Sequence, residues 1–150
     1  MKIGSKRLWL VAGTAILLDQ AAKALLTGTE CVLIPNVLKI TTVRNYGFAL
    51  GLFPHSALPA LLLSLAVIAV LLIFLTRNKL KGLSEISVGM ILGGAFGNLI
   101  DRVFLSYVRD SFELLFMHFY VFNLADVFVT VGAVLTAVDL MLFERNTEKK

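Results

Sequence analysis

Charge is scarce in this sequence. Asp, Glu, Lys and Arg supply 16% of its 150 residues, against about 25% in soluble domains, while hydrophobic residues supply 58% and the mean hydropathy is +0.87. A chain so poor in charge has lipid as its main solvent, which excludes an ordinary water-soluble domain. Cysteine is nearly missing as well: Cys31 stands alone, so an intramolecular disulfide and any multi-cysteine metal site are excluded. The two histidines, His55 and His118, are isolated from each other, and no metal site is expected. Internal repeats and low-complexity tracts are absent beyond the short polar tail, which removes propellers and solenoids. The net charge of +4 does not point to nucleic acid, because the basic residues stand in short clusters beside apolar runs, where the positive-inside rule places them.

What the sequence does contain is four apolar runs, read as helices over about 8–26, 57–76, 86–104 and 124–143 of one membrane-embedded domain spanning residues 1–150. Residues 57–76 carry no charge and have the length a bilayer needs; Pro59 lies near the start, where a helix tolerates it. The first run, with Lys2, Lys6 and Arg7 ahead of apolar 8–18, also fits a signal peptide. A retained helix is preferred because Asp19 and Lys23, four residues apart, neutralise each other on one face. Residues 28–55 change character: 37–43 are rich in β-branched residues, and Arg44-Asn45-Tyr46-Gly47 reads as a turn. Short strands and a loop are expected there, at the membrane surface because such backbone cannot face hydrocarbon, with Phe48, Leu50, Leu52 and Phe53 resting on lipid. A short outer loop or helix is expected between helices three and four. The clusters Lys2/Lys6/Arg7, Arg77/Lys79/Lys81 and Arg145/Lys149/Lys150 fall on one face and Lys39, Arg44 and Arg109 on the other, so both termini are expected in the cytoplasm.

Chemistry concentrates between Gly93 and Asp126. Asp101, Asp110 and Asp126 lie at or near the ends of membrane runs, where a carboxylate is costly unless paired, protonated or used. Gly89, Gly93, Gly97 and Asp101 recur every four residues, a row that permits close helix approach. Asn98 and Arg102 lie within one turn of Asp101, and Asn123 stands three residues before Asp126, so hydrogen-bonded clusters are expected at both helix ends. Ser84 and Glu85 are a possible start for helix three, and Asp139 is expected to be inert, reaching water or Arg145. Two carboxylates brought together beside lipid cannot both ionise cheaply. One remains a base for water while the other polarises a carbonyl, the division of labour of aspartic peptide hydrolysis. Spacing alone leaves open whether Asp101 and Asp126 form such a pair or are helix-end groups held by Arg102 and Asn123. Two other classes stay in view: a small four-helix transporter binding protons or cations through Asp19, Asp101 and Asp126, and a scaffold using the glycine row as its contact face.

Several ordered blocks resemble the lipoprotein signal peptidase family, the bacterial signal peptidase II. Asp19-Gln20-Ala21-Ala22-Lys23 is similar to the family's first-helix Asp and Lys block, and Asn45-Tyr46-Gly47-Phe48-Ala49-Leu50-Gly51 to its Asn-x-Gly-x-Ala-Phe-Gly loop. Gly93 to Arg102 and Phe122 to Asp126 match its two most diagnostic motifs. The resemblance covers nearly the whole chain. It implies a mainly α inner-membrane peptidase of four transmembrane helices with a small outer-face β-cradle, needing no cofactor. The implied reaction is aspartic endopeptidase cleavage of diacylglyceryl-modified prolipoproteins before the lipidated cysteine; the chain is expected to act as a monomer among membrane lipids, and the topology above puts its active site near the outer leaflet. The implied catalytic pair is Asp110 and Asp126, supported by Asp19, Lys23, Asn45, Gly47, Asn98, Asp101, Arg102, Asn123 and Ala125. One departure matters: Arg109 precedes Asp110 where the family has an apolar residue. A cation there would favour ionised Asp110 and keeps Asp101 with Asp126 as a rival pair.

Overall fold

The computed structural model of the protein describes residues 4–47, 57–117 and 120–147. The expected outer-loop residues Phe48, Leu50, Leu52 and Phe53, both histidines, Lys2, Lys149 and Lys150 lie outside them, as does the side chain of Arg145.

Helix α1 (Lys6–Leu26) is opened by Ser5, whose extended backbone lets Oγ accept the Leu8 N–H at 3.1 Å; this satisfies one of the donors a helix start leaves free. It stops at Thr27, and Gly28 turns the chain at φ +84°, a region where a Cβ is strained. Helix α2 (Ala57–Arg77) runs 21 residues, about 30 Å at 1.5 Å per residue, the thickness of a hydrocarbon core. Helix α3 (Leu83–Leu105) starts after Gly82, a few residues earlier than the apolar run suggested. Ser84 does not cap it: its hydroxyl donates to Asp139 on the last helix, which gives Asp139 a protein partner that the sequence did not announce. Ser106, left-handed at φ 64°, ends α3 with its N–H on the Arg102 carbonyl. Helix α4 spans Leu124–Thr147. All four helices are long and apolar enough to cross a membrane.

Strands β1 (Cys31–Ile34) and β2 (Leu38–Asn45) come from the segment after α1, as its β-branched composition predicts. The α3–α4 connection corrects the expectation of a loop or short helix: it forms β3 (Val108–Leu114) and β4 (Val121–Phe122). All pairs are antiparallel in the order β1-β2-β3-β4. The left-handed stop at Ser106 breaks the helical path, and pairing with β2 then absorbs the backbone groups of β3. Val43 faces Asp110, Arg44 faces Arg109 and Asn45 faces Val108, with a register shift between Ile40 and Val43.

Helix α3 is central, packed on α1, α4 and α2. A small core of Leu8, Ala12, Leu75, Val88 and Leu92 sits between α1, α2 and α3. Most large apolar side chains face outward instead, among them Leu10, Leu17, Leu25, Val70, Phe104 and Leu140, the reverse of a soluble domain and the surface lipid requires.

Candidate active site

Close helix approach builds the site. A Cβ on Gly93 would lie 2.6 Å from the Ala12 carbonyl oxygen, and one on Gly97 would lie 2.5 Å from Asp19 Oδ2. The glycine row of α3 therefore lets α1 lie nearly backbone to backbone and admits Asp19 against Gly97. Gly94, on a different side of α3, does the same for α4, where its Cβ would collide with the Ala125 carbonyl. Polar residues of three helices and the sheet meet at the end of the bundle thus drawn together.

Asp110 and Asp126 share one partner. Asn123 Nδ2 donates to Asp110 Oδ1 at 2.7 Å, and the Asn123 backbone N–H donates to Asp126 Oδ2 at 3.2 Å. The Asp126 N–H returns a bond to Asn123 Oδ1 at 3.0 Å, so the start of α4 closes on itself. Asp110 Oδ2 accepts from Asn45 Nδ2 at 2.9 Å; Asn45 Oδ1 in turn takes the Gly47 N–H. Asn45 reaches Asp110 because it stands opposite Val108, two residues along the same sheet face. Asp126 Oδ1 accepts from Asn98 Nδ2 at 2.8 Å. Asp110 is 1% exposed. Burial pushes its pKa up to about 6; the Asp126 charge also raises it, and the bonds from Asn45 and Asn123 offset part of the rise.

Arg109 corrects the sequence expectation. Neighbouring strand residues point to opposite faces, and the guanidinium turns away from Asp110 to Asp101, with Nη2–Oδ1 at 2.7 Å and Nε–Oδ2 at 3.2 Å. Asp101 also accepts the Arg109 N–H at 2.9 Å. It holds the guanidinium charged, raising the Arg109 pKa. The cluster expected around Asp101 is likewise redistributed. Asn98 bonds Lys23 (3.0 Å) and Asp126 rather than Asp101, and Arg102 crosses to Ser64 on α2 at 3.2 Å. Lys23 Nζ contacts Asp19 Oδ2 at 2.8 Å and Asp101 Oδ2 at 3.5 Å. Asp19 Oδ1 accepts the Ala125 N–H at 2.8 Å, joining α1 to α4. Among the described residues no buried side-chain nitrogen or oxygen lacks a partner, the condition under which buried charges are tolerated.

Sequence reasoning passed over two participants. Gln20, beside Asp19, donates to Asp19, the Gly97 carbonyl and Asp101 and accepts from Arg109. Its place between Asp19 and Lys23 was the available signal. Ser64 sits in an otherwise apolar helix, and its role as the Arg102 acceptor left no local trace.

A cleft of about 340 Å³ opens beside this cluster. Its polar wall holds Asn45, Asn98, Arg102 and Asp126, and its apolar wall includes Leu63, Val67, Phe122 and Val129. Asp126 is half-buried and borders the cleft, whereas Asp110 reaches it through the Asn45 it binds. Such a cleft can hold an extended apolar peptide with a polar bond at the carboxylates. Among the described residues no group of His, Cys, Asp and Glu is arranged for a metal ion.

The family model described as Signal peptidase (SPase) II matches residues 11–142. The chain is similar to the lipoprotein signal peptidase of Lactobacillus johnsonii, 35% identical over 148 residues covering 94% of this chain and 96% of that one. It is similar also to that of Halothermothrix orenii, 36% identical over 142 residues covering 91% and 97%. Its fold is similar to that of a bacterial membrane enzyme solved by the in meso method at 2.3 Å resolution, with a TM-score of 0.82 and 26% identity over 94% of this chain and 91% of that chain. The transporter reading finds no support in these matches.

Proposed function

The chain belongs to the signal peptidase II family, and from that premise we propose that Asp110 and Asp126 are the catalytic pair of an aspartic endopeptidase acting on diacylglyceryl-modified prolipoproteins. The family's members are aspartic-type peptidases, and removal of signal peptides from prolipoproteins in the bacterial inner membrane is the activity of this one. The observation that carries the assignment is Asn123, which bonds both carboxylates and makes them one unit beside the cleft.

One carboxylate of the pair takes a proton from water, which attacks the carbonyl carbon before the substrate cysteine. The other donates its proton to the carbonyl oxygen, giving a neutral tetrahedral diol. Collapse of the diol breaks the C–N bond as a proton passes to the leaving amine, and the pair again holds one proton between its two members. Asn45 and Asn123 orient Asp110, and Asn98 orients Asp126, so neither carboxylate turns away when water enters. Asp101 is unsuited to the task because Arg109 engages both its oxygens and Lys23 contacts one of them. Asp19, through the Ala125 N–H, fixes the start of α4. Gly47 holds Asn45, and Arg102, tied to Ser64, lends positive charge to the cleft wall.

The signal helix of the substrate lies along the cleft between helices with its acyl chains in lipid, at the outer leaflet, and the protein acts as a monomer with both termini in the cytoplasm. The test is cleavage by purified protein in detergent, resolved on a gel, with unmodified precursor as the control. Wild type cuts the modified substrate only. Asp110→Asn and Asp126→Asn, folded by circular dichroism, lose about 10²- to 10⁴-fold in rate, the range for loss of an acid or base, while Asp101→Asn keeps measurable activity. Activity retained in Asp110→Asn but lost in Asp101→Asn would move the pair.

A further inference from the structure

Behind the carboxylate pair lies a second cluster in which two acids face two cations: Asp19 and Asp101, both buried, against Lys23, also buried, and Arg109, whose side chain is 21% exposed. Lys23 has three oxygen neighbours and one charge to share. It sits 2.8 Å from Asp19 and 3.0 Å from Asn98 Oδ1, and stands off from Asp101 at 3.5 Å. Asp101 tolerates that distance because Arg109 engages both of its oxygens. Gln20 braces the guanidinium at 2.9 Å from α1 and reaches Asp101 at 3.2 Å. Asn98 then carries the arrangement forward: its oxygen takes Lys23 and its amide donates to Asp126.

We propose that Arg109 is a positioning residue for the peptidase reaction: by neutralising Asp101 it leaves the Lys23 ammonium on Asn98, and Asn98 holds the Asp126 carboxylate toward the cleft. The proposal rests on the reading that Asp126 works with Asp110. Without the guanidinium, two buried carboxylates compete for one ammonium, which is drawn from Asn98 toward Asp101. The freed Asn98 amide can then rotate, and Asp126 loses its fixed donor. The cluster also gains one net negative charge behind the pair.

That charge gives the proposal a signature that loss of packing lacks. Among the described residues, the charged and titratable groups facing the pair and Arg109 are Asp19 and Lys23 from α1, Asp101 and Arg102 from α3, Tyr107 ahead of β3, and Arg44 of β2, which stands opposite Arg109; Ser64, the α2 partner of Arg102, is neutral. Removing the Arg109 cation from this set disfavours ionisation of the pair, so both limbs of the pH–rate profile move to higher pH together. Arg109→Lys restores the charge while losing the fork, and Arg109→Leu loses both. The backbone N–H through which Arg109 bonds Asp101 is kept in either variant, so β3 is expected to stay docked.

The experiment measures kcat and KM from pH 5 to 9 for wild type, Arg109→Lys and Arg109→Leu on modified prolipoprotein, alongside an infrared titration of ¹³C-aspartate-labelled protein. Subtracting Asp110→Asn isolates the Asp110 signal without substrate. Expected are a loss of about tenfold or more in kcat for Arg109→Leu, as misplacement of a catalytic group brings, with KM little changed, an upward move of both limbs and of the Asp110 titration, and recovery of the limbs in Arg109→Lys. A lower kcat with unmoved limbs and an unmoved Asp110 titration would reduce Arg109 to a structural contact and overturn the proposal, as would an unchanged Arg109→Leu. If wild type cuts nothing, the assigned function fails; the titration still decides whether Arg109 controls the charge of the pair.

Discussion

Asp110 owes its behaviour to opposing contributions of known sign. Burial favours its protonated form, whereas the bonds from Asn45 and Asn123 favour the carboxylate, and burial wins. A limb of the kcat/KM profile near pH 6 is therefore expected, belonging to the pair with Asp110 as its main contributor. Asn45→Ala removes a donor from the ionised form, so the limb moves up. A hydrogen bond to a charged group contributes about 1.5–3 kcal/mol, so the move is about one pH unit or more; a downward move would contradict the assignment. Asn123→Ala is the harsher change because it frees Asp110 from its shortest bond and removes the acceptor for the Asp126 N–H. A loss of about 10²-fold in kcat, the scale of an ångström of misplacement, is expected in the same assay. Residue identity announced these groups, but their partners had to be seen. Arg109 looked like a cation beside Asp110 because sequence adjacency suggests contact, and the alternation of a strand sends the two side chains apart.

At the scale of elements, the glycine row converts sequence period into a site. Gly97→Ala would force its methyl group into the Asp19 carboxylate, which also holds Lys23 and the Ala125 N–H. Overpacking of this kind costs about 1–3 kcal/mol, so a lower melting temperature in detergent and reduced cleavage are expected together. Gly13→Ala is the matched control: nothing lies within 4 Å of its added Cβ, and replacing a helical glycine there gains up to about 1 kcal/mol. The four helices and the glycine row were legible because apolar length and four-residue spacing are local signals. Strands β3 and β4 were not. Asp110 and Ser111 sit buried in β3 as polar residues, so the stretch lacks the apolar alternation by which a strand is read, and β4 has only two residues. The strand character of β3 comes from pairing with β2, more than sixty residues away, and that of β4 from pairing with β3. Gln20 and Ser64 escaped notice for the same reason, since each is defined by a partner on another element.

For the molecule as a whole, function depends on which end of the bundle faces outward. The sheet, the cleft and Asp110 share one end; Arg77 at the end of α2 and Lys79 and Lys81 on the α2–α3 connection lie at the other, and the positive-inside rule predicts that this connection faces the cytoplasm. The protein carries its own reporter of this arrangement, because Cys31 is its only cysteine and is exposed on β1. In intact cells a membrane-impermeant thiol reagent should label Cys31 without permeabilisation. In a Cys31→Ser background, Lys79→Cys should be labelled only after the membrane is opened, since Lys79 is exposed on the opposite connection. Both variants keep the buried cluster intact, so retained cleavage activity certifies that the labelled molecules are folded. The reversed pattern, Lys79→Cys labelled from outside and Cys31 protected, would place the carboxylate pair on the cytoplasmic side and separate it from any substrate whose cysteine has crossed the membrane.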